Sequence, residues 1–367
     1  MALSVGIVGL PNVGKSTLFN TLSTKQAEAA NYAFCTIEPN VGVVPVPDRR
    51  FDRLVELFQP AKVVPATVEF VDIAGLVRGA SKGEGRGNAF LSHIRQADAI
   101  AHVVRCFEDD NIAHVDHRVA PSADVATIET ELILKDLETV ERRLDKAQKA
   151  AKGGDARERK AVSLCERLHA GLDDGRLAST VAPDDDDERE ILCDLFLLTS
   201  KPLFFVANVA EAQLGSLDTD PLVSEVREVA AARGAEVAVI SAEIEAEIMQ
   251  LDAADRAGFL ESLGLEEPGL HKVIRTGYDA LDLITYFTAG PPEVHAWTIP
   301  RGLKAPAAAG KIHSDFERGF IRAEVIRFDD LAELGSEAAV KAAGKLSIEG
   351  KGYVVQDGDV MHFRFNV

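Results

Sequence analysis

The strongest constraint on the fold is a glycine-rich segment near the start of the chain, residues 9–17 (GLPNVGKST). It fits the pattern G-x-x-x-x-G-K-[ST], a loop whose backbone N–H groups bind phosphate oxygens. Residues 3–8 before it are short, apolar and β-branched, as in a buried parallel strand, and residues 16–22 after it are typical of the first turns of a helix. This order of strand, loop and helix predicts an α/β P-loop NTPase domain.

The residues of this loop have separate expected roles. Lys15 is expected to reach the β- and γ-phosphates and to act in catalysis, and the Ser16 hydroxyl is expected to ligate Mg²⁺. Further nucleotide contacts are predicted for the rest of the loop: Asn12, Val13, Gly14 and Thr17. The alternative is a glycine-rich turn with a solvent-exposed lysine, but the complete pattern in its strand-to-helix context disfavours it.

Composition narrows the class of protein. The 367 residues are enough for two or three domains, and no run approaches the ~18 apolar residues of a membrane span. The start of the chain lacks the layout of a signal peptide, and the four cysteines show no C-x-x-C spacing, which favours a reduced, cytoplasmic protein. A net charge of −19 argues against broad binding to DNA or other nucleic acid, although a local basic patch stays open.

Two later segments resemble the switches of a nucleotide-dependent protein. Thr36 lies in a loop before a predicted strand over 41–46 and is expected to close over Mg²⁺ and the γ-phosphate; the alternative is a turn threonine that caps its own backbone. Asp72 ends a predicted strand and begins the pattern Asp-x-x-Gly, so it is expected to hold Mg²⁺ through water. Gly75 is expected to offer its N–H to the γ-phosphate because no side chain blocks the approach.

The position that often carries a water-orienting glutamine in GTPases is occupied here by Leu76. Leucine cannot orient water, so another residue, a cation or a partner must do so. His114 is the candidate, because it lies in a polar loop after a predicted strand over 99–107, where the chemistry of nucleotide-binding folds gathers. The alternative is an ordinary surface histidine.

The base-recognition segments depart from the guanine pattern. Residues 208–211 read Asn-Val-Ala-Glu where a guanine-specific protein usually has Asn-Lys-x-Asp, and residues 241–243 read Ser-Ala-Glu rather than Ser-Ala-Lys. Without the lysine stem, and with a longer acid, the guanine donors are poorly matched, which favours ATP over GTP. Base contacts are predicted for Asn208, Val209, Glu211, Ser241 and Ala242; for Asn208, a simple loop asparagine is the alternative.

The remaining chain predicts two further parts. From Ile128 the apolar period becomes that of an antiparallel helical pair or coiled coil, with a stripe at Ile133, Leu137, Val140, Leu144, Ala147 and Ala151. Residues 184–187 are four aspartates expected to complement a helix N-terminus rather than to bind a metal. We therefore expect a nucleotide-binding domain in two parts, 1–127 and 200–282, an inserted helical arm over 128–199, and a separate domain over 283–367.

The last part is β-rich, with a turn at Asp357-Gly358 between two alternating strands. Length and pattern suit a small α+β fold. Residues 310–322 mix basic and aromatic side chains, and the region resembles the TGS domain, a ubiquitin-like module associated with RNA or ribosome contact. The alternative is a solvated strand-and-turn face.

Over its whole length the chain resembles the YchF/Obg-like ATPases, a branch of the translation-factor-related P-loop GTPases. The phosphate loop, the segments around Thr36 and Asp72, and the sequence from Asn208 to Glu211 carry the resemblance. It implies Mg²⁺-dependent hydrolysis of ATP in preference to GTP, a part for His114 in hydrolysis, and a K⁺ ion near Asn12.

The resulting hypothesis is a cytoplasmic, ribosome-associated ATPase that acts as a slow molecular switch, with the ribosome or ribosomal RNA as partner. Two alternatives stay open: a GTPase of the Obg type, and a module that senses nucleotide without hydrolysing it.

Overall fold

The computed structural model describes residues 4–29, 40–72, 97–114 and 118–366. Within these ranges the chain forms two six-stranded β-sheets with helices packed on them. The first sheet has the strand order β2-β4-β1-β5-β6-β7. Its strands are β1 (Ser4–Val8), β2 (Val41–Pro45), β4 (Thr67–Asp72), β5 (Ala99–Arg105), β6 (Leu203–Asn208) and β7 (Val237–Ile240).

The first sheet is parallel except for β2, which runs antiparallel to β4. Its central strands are β-branched and buried, as expected for strands covered on both faces. The carboxyl ends of parallel strands lie at one edge of a sheet, where α/β proteins bind ligands. The phosphate loop after β1, Asp72 at the end of β4, the loop after β5 and Asn208 at the end of β6 therefore meet at that edge.

Helices surround this sheet on both sides. The first follows the phosphate loop directly, as the sequence predicts. The helices of this sheet are α1 (Lys15–Ala29), α6 (Pro221–Ala231), α7 (Ala242–Gln250), α8 (Ala253–Ser262) and α9 (Gly269–Ala280). The helices that lie between α1 and α6 in the chain are described below. A short 3₁₀ helix, Glu211–Ser216, follows β6.

The helical arm comprises α3 (Pro121–Ala151), α4 (Ala156–Asp173) and α5 (Asp186–Asp194). The predicted stripe is confirmed from Ile133 to Ala147: Ile133, Val140 and Ala147 are buried, with Leu137 and Leu144 partly buried beside them, whereas Ala151 is half-buried and lies outside this cluster. The stripe residues up to Ala147 pack against Ala161, Leu164, Leu168 and Leu172 of α4. Helix α3 begins at Pro121, before Ile128, where the sequence predicts the helical arm to begin. Its first two turns belong to the core of the nucleotide domain, where Val125 and Ile128 are buried.

The run of aspartates begins α5, as predicted. Asp185 is its N-cap and accepts a hydrogen bond from the backbone N–H of Glu188, which stabilises the helix terminus. Lys160 of α4 donates to Asp185 and Asp187, at 2.6 and 2.5 Å. The charges thus join the two helices.

The second sheet has the strand order β11-β10-β12-β8-β9-β3. Its strands are β3 (Lys62–Val64), β8 (Leu283–Ala289), β9 (Glu293–Pro300), β10 (Phe320–Arg327), β11 (Ser347–Glu349) and β12 (Asp359–Phe365). Four short helices cover it: α10 (Ala305–Ile312), α11 (Ser314–Arg318), α12 (Phe328–Leu334) and α13 (Glu337–Ala342). This is the α+β arrangement that the sequence predicts for the last part of the chain.

The prediction of a strand before the turn at Asp357-Gly358 is wrong. Asp357-Gly358 is a turn, but residues 351–355, all within the described part, form a turn and a single bridge between Val354 and Lys304 instead of a strand. The reason is a competing partner: Val355 donates its N–H to Leu303 O, and Tyr353 O accepts from Ala305 N. The segment therefore pairs with the chain before α10 and not with β12.

The second sheet also incorporates a segment from far upstream. Between β2 and β4 the chain leaves the first sheet and forms α2 (Arg49–Phe58) and β3, which pairs in parallel with β9. Phe51 and Leu54 are buried in the same cluster as Phe287 and Val360. Residues 49–64 thus complete the core of the second sheet, which the sequence did not indicate.

Among the described residues, no helix combines the length and apolar character needed to cross a bilayer.

Candidate nucleotide-binding site

The phosphate loop has the backbone that its glycines permit. Asn12 and Gly14 have positive φ values of 61° and 93°, and a Cβ atom at Gly14 would lie 2.2 Å from Asn208 Nδ2. Only glycine fits that position without moving the asparagine. The loop lines a cavity of about 370 Å³ with Gly9, Leu10, Pro11, Asn12, Gly14, Lys15, Ser16 and Thr17. Ser16 and Thr17 are exposed there, while the Val13 side chain is buried beneath.

Lys15 and Asp72 come together at the floor of this site. Lys15 Nζ lies 2.8 Å from Asp72 Oδ1, and the two side chains are only 12% and 13% exposed. The lysine predicted to bind phosphate and the aspartate predicted to hold the metal's water are therefore direct neighbours. The exposed Ser16 hydroxyl, in the first turn of α1, is an oxygen of the kind that Mg²⁺ prefers.

Asn208 connects the phosphate loop to the predicted base loop. Its Nδ2 donates to Val13 O at 2.9 Å, and its Oδ1 accepts from Ala242 N at 2.9 Å. The residue is buried at the end of β6, so it is not a solvated loop asparagine. Both halves of its carboxamide are used within the protein, and the N–H of Ala242 is used as well.

The other predicted base residues have different environments. Ser241 is buried, and its hydroxyl has no hydrogen-bond partner among the described residues. Glu211 is exposed at the start of its 3₁₀ helix. The Val209 side chain is 2% exposed and packs in the core around Val104 and Phe205, so only its backbone can face a nucleotide.

His114 is not the surface histidine of the alternative interpretation. Its side chain is 5% exposed, and its Nε2 lies 3.0 Å from Asp124 Oδ2. The residue before it is tied to the phosphate loop, because Asn12 Nδ2 donates to Ala113 O at 3.1 Å. His114 therefore lies in a loop that touches the predicted phosphate site.

Arg105 holds the loop that precedes His114 through hydrogen bonds to its backbone. The side chain is buried at the end of β5 and donates to the carbonyl oxygens of Phe107, Ile112 and Asp109. Its guanidinium also lies over the Phe107 ring, 4.7 Å from the centroid. Three backbone carbonyls on one cation fix the path of the chain toward His114.

His102, on β5, has a structural role. It is 2% exposed and packs against the Phe205 ring. Burial, reinforced by the charge of Arg233, lowers the pKa of His102 to about 3. The imidazole therefore stays neutral inside the sheet at ordinary pH.

Three predicted or diagnostic positions, Thr36, Gly75 and Leu76, lie outside the described residues. The expected contacts of Thr36 with Mg²⁺ and the γ-phosphate and of the Gly75 N–H with the γ-phosphate stay predictions, as does the inability of Leu76 to orient the attacking water.

Comparison with known proteins gives the family. A family model described as "50S ribosome-binding GTPase" matches residues 4–136, and a C-terminal YchF-GTPase model, described as a protein of unknown function (DUF933), matches residues 283–366. The chain is 54% identical to the ribosome-binding ATPase YchF of Pasteurella multocida over 367 residues, which is all of both proteins. The chain belongs to the YchF/Obg-like ATPase family. It is thus a P-loop nucleoside triphosphatase, and the predicted family is confirmed.

Further relatives extend the likeness across kingdoms. The ribosome-binding ATPase YchF of Bacillus subtilis is 53% identical over the full length of both chains. Rat Obg-like ATPase 1 is 46% identical and matches all of this chain over 93% of its own. The solved structure of the Schizosaccharomyces pombe YchF GTPase superposes with a TM-score of 0.86 at 38% identity, covering 99% of this chain and 97% of that one.

One residue of this YchF-family site escapes prediction from the sequence. Asp124 follows a proline at the start of a helix, and an acid there is readily explained by the helix dipole alone. Only the fold shows that it faces His114. The sequence offered only a weak signal, an acid flanked by Ala123 and Val125.

Proposed function

We propose that this protein is a Mg²⁺-dependent ATPase that prefers ATP to GTP, binds the ribosome or its RNA, and acts as a slow switch in the cytoplasm. The proposed preference for ATP rests on one observation: the backbone N–H of Ala242 is already hydrogen-bonded within the protein. Guanine presents the O6 oxygen, which needs a donor from the protein. Here that backbone donor is already bonded to Asn208 Oδ1, at 2.9 Å.

The residues on either side of Asn208 add to this preference. Val209 stands in place of the lysine whose stem would cover the base, and its side chain is committed to the core. Glu211 is exposed and one methylene longer than the aspartate that binds both guanine donors. A site that leaves polar groups of a base unmatched discriminates strongly against it. The proposal keeps Ser241, Ala242 and Asn208 beside the base, where they contact it by packing, because the Ala242 N–H and both ends of the Asn208 carboxamide are already hydrogen-bonded within the protein.

The metal site is assigned to Ser16, Asp72 through water, and Thr36. The hydroxyl and carboxylate oxygens suit Mg²⁺, which when bound would neutralise charge on the phosphates. The carboxamide of Asn12 gives its Nδ2 to Ala113, which leaves Oδ1 as the ligand for a stimulating K⁺. The proposal also keeps Val13, Gly14, Thr17 and the Gly75 N–H as phosphate contacts.

The proposed reaction is attack of one water on the γ-phosphorus. A new P–O bond forms, the bond from phosphorus to the β,γ-bridging oxygen breaks, ADP leaves with the electron pair, and the proton of the water is released. Lys15 and the backbone N–H groups of the loop stabilise the charge that develops. His114 orients the water or takes its proton, which Leu76 cannot do. Turnover without a partner is therefore expected to be slow.

The names of the relatives support the ribosome as the proposed partner. The YchF proteins of P. multocida and B. subtilis are named ribosome-binding ATPases. With a net charge of −19, contact with RNA would have to be local. The proposal assigns it to the TGS-like domain over 283–367 with help from the arm over 128–199, both attached to a nucleotide domain formed by 1–127 and 200–282.

The test is phosphate release from ATP over many turnovers, with and without ribosomes. We expect slow release that ribosomes accelerate and that Lys15→Ala abolishes. The matched control is Lys160→Ala in the arm, which should retain the wild-type rate in the absence of ribosomes. ATP binding without any release by the wild-type protein would support the non-hydrolysing alternative and contradict the proposal.

GTP stays the second candidate substrate, because the S. pombe relative is titled a GTPase.

A further inference from the structure

Asp124 and His114 form a buried pair at the edge of the nucleotide site. The two side chains are 4% and 5% exposed, and Nε2 lies 3.0 Å from Oδ2. A carboxylate removed from water is costly unless a partner satisfies it. An ionised carboxylate only accepts hydrogen bonds, so with Asp124 ionised the proton of this contact is on Nε2, and in the corresponding neutral tautomer the lone pair is on Nδ1.

The histidine is thus held from two sides. Its chain neighbour Ala113 accepts a hydrogen bond from Asn12 of the phosphate loop, and Arg105 fixes the loop that leads to it. Asp124 holds the ring. A side chain that must meet a water beside the γ-phosphate needs this kind of double constraint, because small errors in position cost large factors in rate.

We propose that Asp124 is a positioning residue for hydrolysis: it fixes the ring orientation and the tautomer of His114. The inference rests on the proposed role of His114 in activating water. A carboxylate that orients an imidazole through its other nitrogen is a recurring arrangement in enzymes that use histidine as a base or ligand. Asp124 itself does not touch the nucleotide.

The helix that carries Asp124 is anchored independently of the pair. Ser122 N donates to Glu225 Oε1 at 3.0 Å, and Arg233 donates to Glu129 with both Nε and a terminal nitrogen at 2.5 Å. These contacts hold the first turns of α3 against α6 and the turn that follows it. Replacement of Asp124 should therefore change the histidine more than the path of the helix.

The same helix continues into the arm. It has 31 residues, so it is about 46 Å long. Farther along it, Asp136 is also buried and accepts from Leu198 N and Thr199 N, both at 2.7 Å. Asp136 is thus a buried carboxylate on the same helix whose hydrogen-bond partners differ from those of Asp124.

The experiment compares Asp124→Asn with Asp136→Asn, a matched change of a buried carboxylate on the same helix about 18 Å away. For each variant, the kcat and KM for ATP, the Kd for a non-hydrolysable ATP analogue and the thermal unfolding midpoint are measured. We expect Asp124→Asn to lower kcat about tenfold to a hundredfold with KM and Kd unchanged. Asp136→Asn should lower the midpoint and leave kcat unchanged at a temperature where it is folded.

A double variant separates positioning from general damage. Asp124→Asn should have no further effect on kcat in a His114→Ala background, because the group it orients is gone. An unchanged kcat in Asp124→Asn, or the same fold loss in both backgrounds, overturns the inference while leaving the ATPase proposal intact. An unchanged kcat in His114→Ala removes the role of His114 and the inference with it.

Discussion

The nucleotide edge of the first sheet and the core of the second sheet are both assembled from segments distant in sequence, but different forces assemble them. At the nucleotide edge, Lys15 pairs with Asp72 at 2.8 Å, and the Asn208 carboxamide joins Val13 to Ala242 by hydrogen bonds of 2.9 Å. In the second sheet, Phe51 and Leu54 contribute apolar surface to a cluster around Phe287. Changes at the edge should therefore reduce binding or rate, whereas changes in the second core should reduce the free energy of unfolding.

The largest expected effect is Leu54→Ala, which creates a cavity in the second core. Leu54 is fully buried, so we expect a loss of about 2–5 kcal/mol in the free energy of unfolding. Urea denaturation measures it. The control is Leu134→Ala, a leucine that is 42% exposed on α3 and should change stability by about 0.5 kcal/mol or less. Equal losses in the two variants would mean that residues 49–64 do not complete this core.

Asn208→Ala tests the nucleotide edge of the first sheet, where we expect a loss of both stability and ATP affinity. It leaves the buried N–H of Ala242 and the carbonyl of Val13 without their partner, at a cost of about 1–3 kcal/mol. Because both groups lie in the proposed nucleotide site, the Kd for ATP should rise at least about tenfold. Calorimetry of binding alongside urea denaturation measures both; a stability loss with unchanged ATP affinity would detach Asn208 from the site.

Arg50→Ala tests the contact between α2 and the turn at Asp357 in the second part of the molecule. Its guanidinium binds Asp48 at the start of α2 and Asp357 in the second part, each at 2.8 Å. Burial lowers the pKa of Arg50, but the hydrogen bonds and charges of the two aspartates raise it more, above its ordinary value. We expect a loss of about 1 kcal/mol by urea denaturation, since the pair is partly exposed. Arg53→Ala, which removes an exposed pair with Glu56, should cost less; the reverse order would exclude Arg50 as a connection.

The smallest expected change in stability concerns His362, whose Nε2 lies 2.7 Å from Glu337 Oε1. The hydrogen bond to Glu337 raises the pKa of His362 above the ordinary 6.5, against the effect of burial. A raised pKa in the folded state stabilises it below pH 6.5, and this contribution is lost as pH rises through the folded-state pKa. His362→Gln should therefore lower stability by less than about 1 kcal/mol at pH 5.5 and by still less at pH 8.5. A larger loss at pH 8.5 contradicts this.

Much of the nucleotide site could be predicted because its parts have local signatures. The phosphate loop needs glycine at positions where a Cβ would collide, as at Gly14, and the arm needs an apolar stripe at helical spacing. The segment that joins the second sheet has no such signature, since β3 is three residues long and its partner β9 lies more than 200 residues away. The strand predicted before Asp357 failed for the same reason: alternation of side chains does not say which backbone will supply the hydrogen bonds.

Asp124 shows the remaining limit. The residue type and its place in a helix are visible in the sequence, but its contact with His114 depends on how α3 packs after the loop from β5. Such pairings follow from tertiary packing, which local patterns do not encode.

The central claim is that the base is read without a guanine-type clamp. A competition titration of ATP against GTP on nucleotide-free protein with Mg²⁺ tests it most directly. We expect ATP to bind at least about tenfold more tightly, a difference of about 1.4 kcal/mol. Equal binding of the two nucleotides, or tighter binding of GTP, would contradict the account.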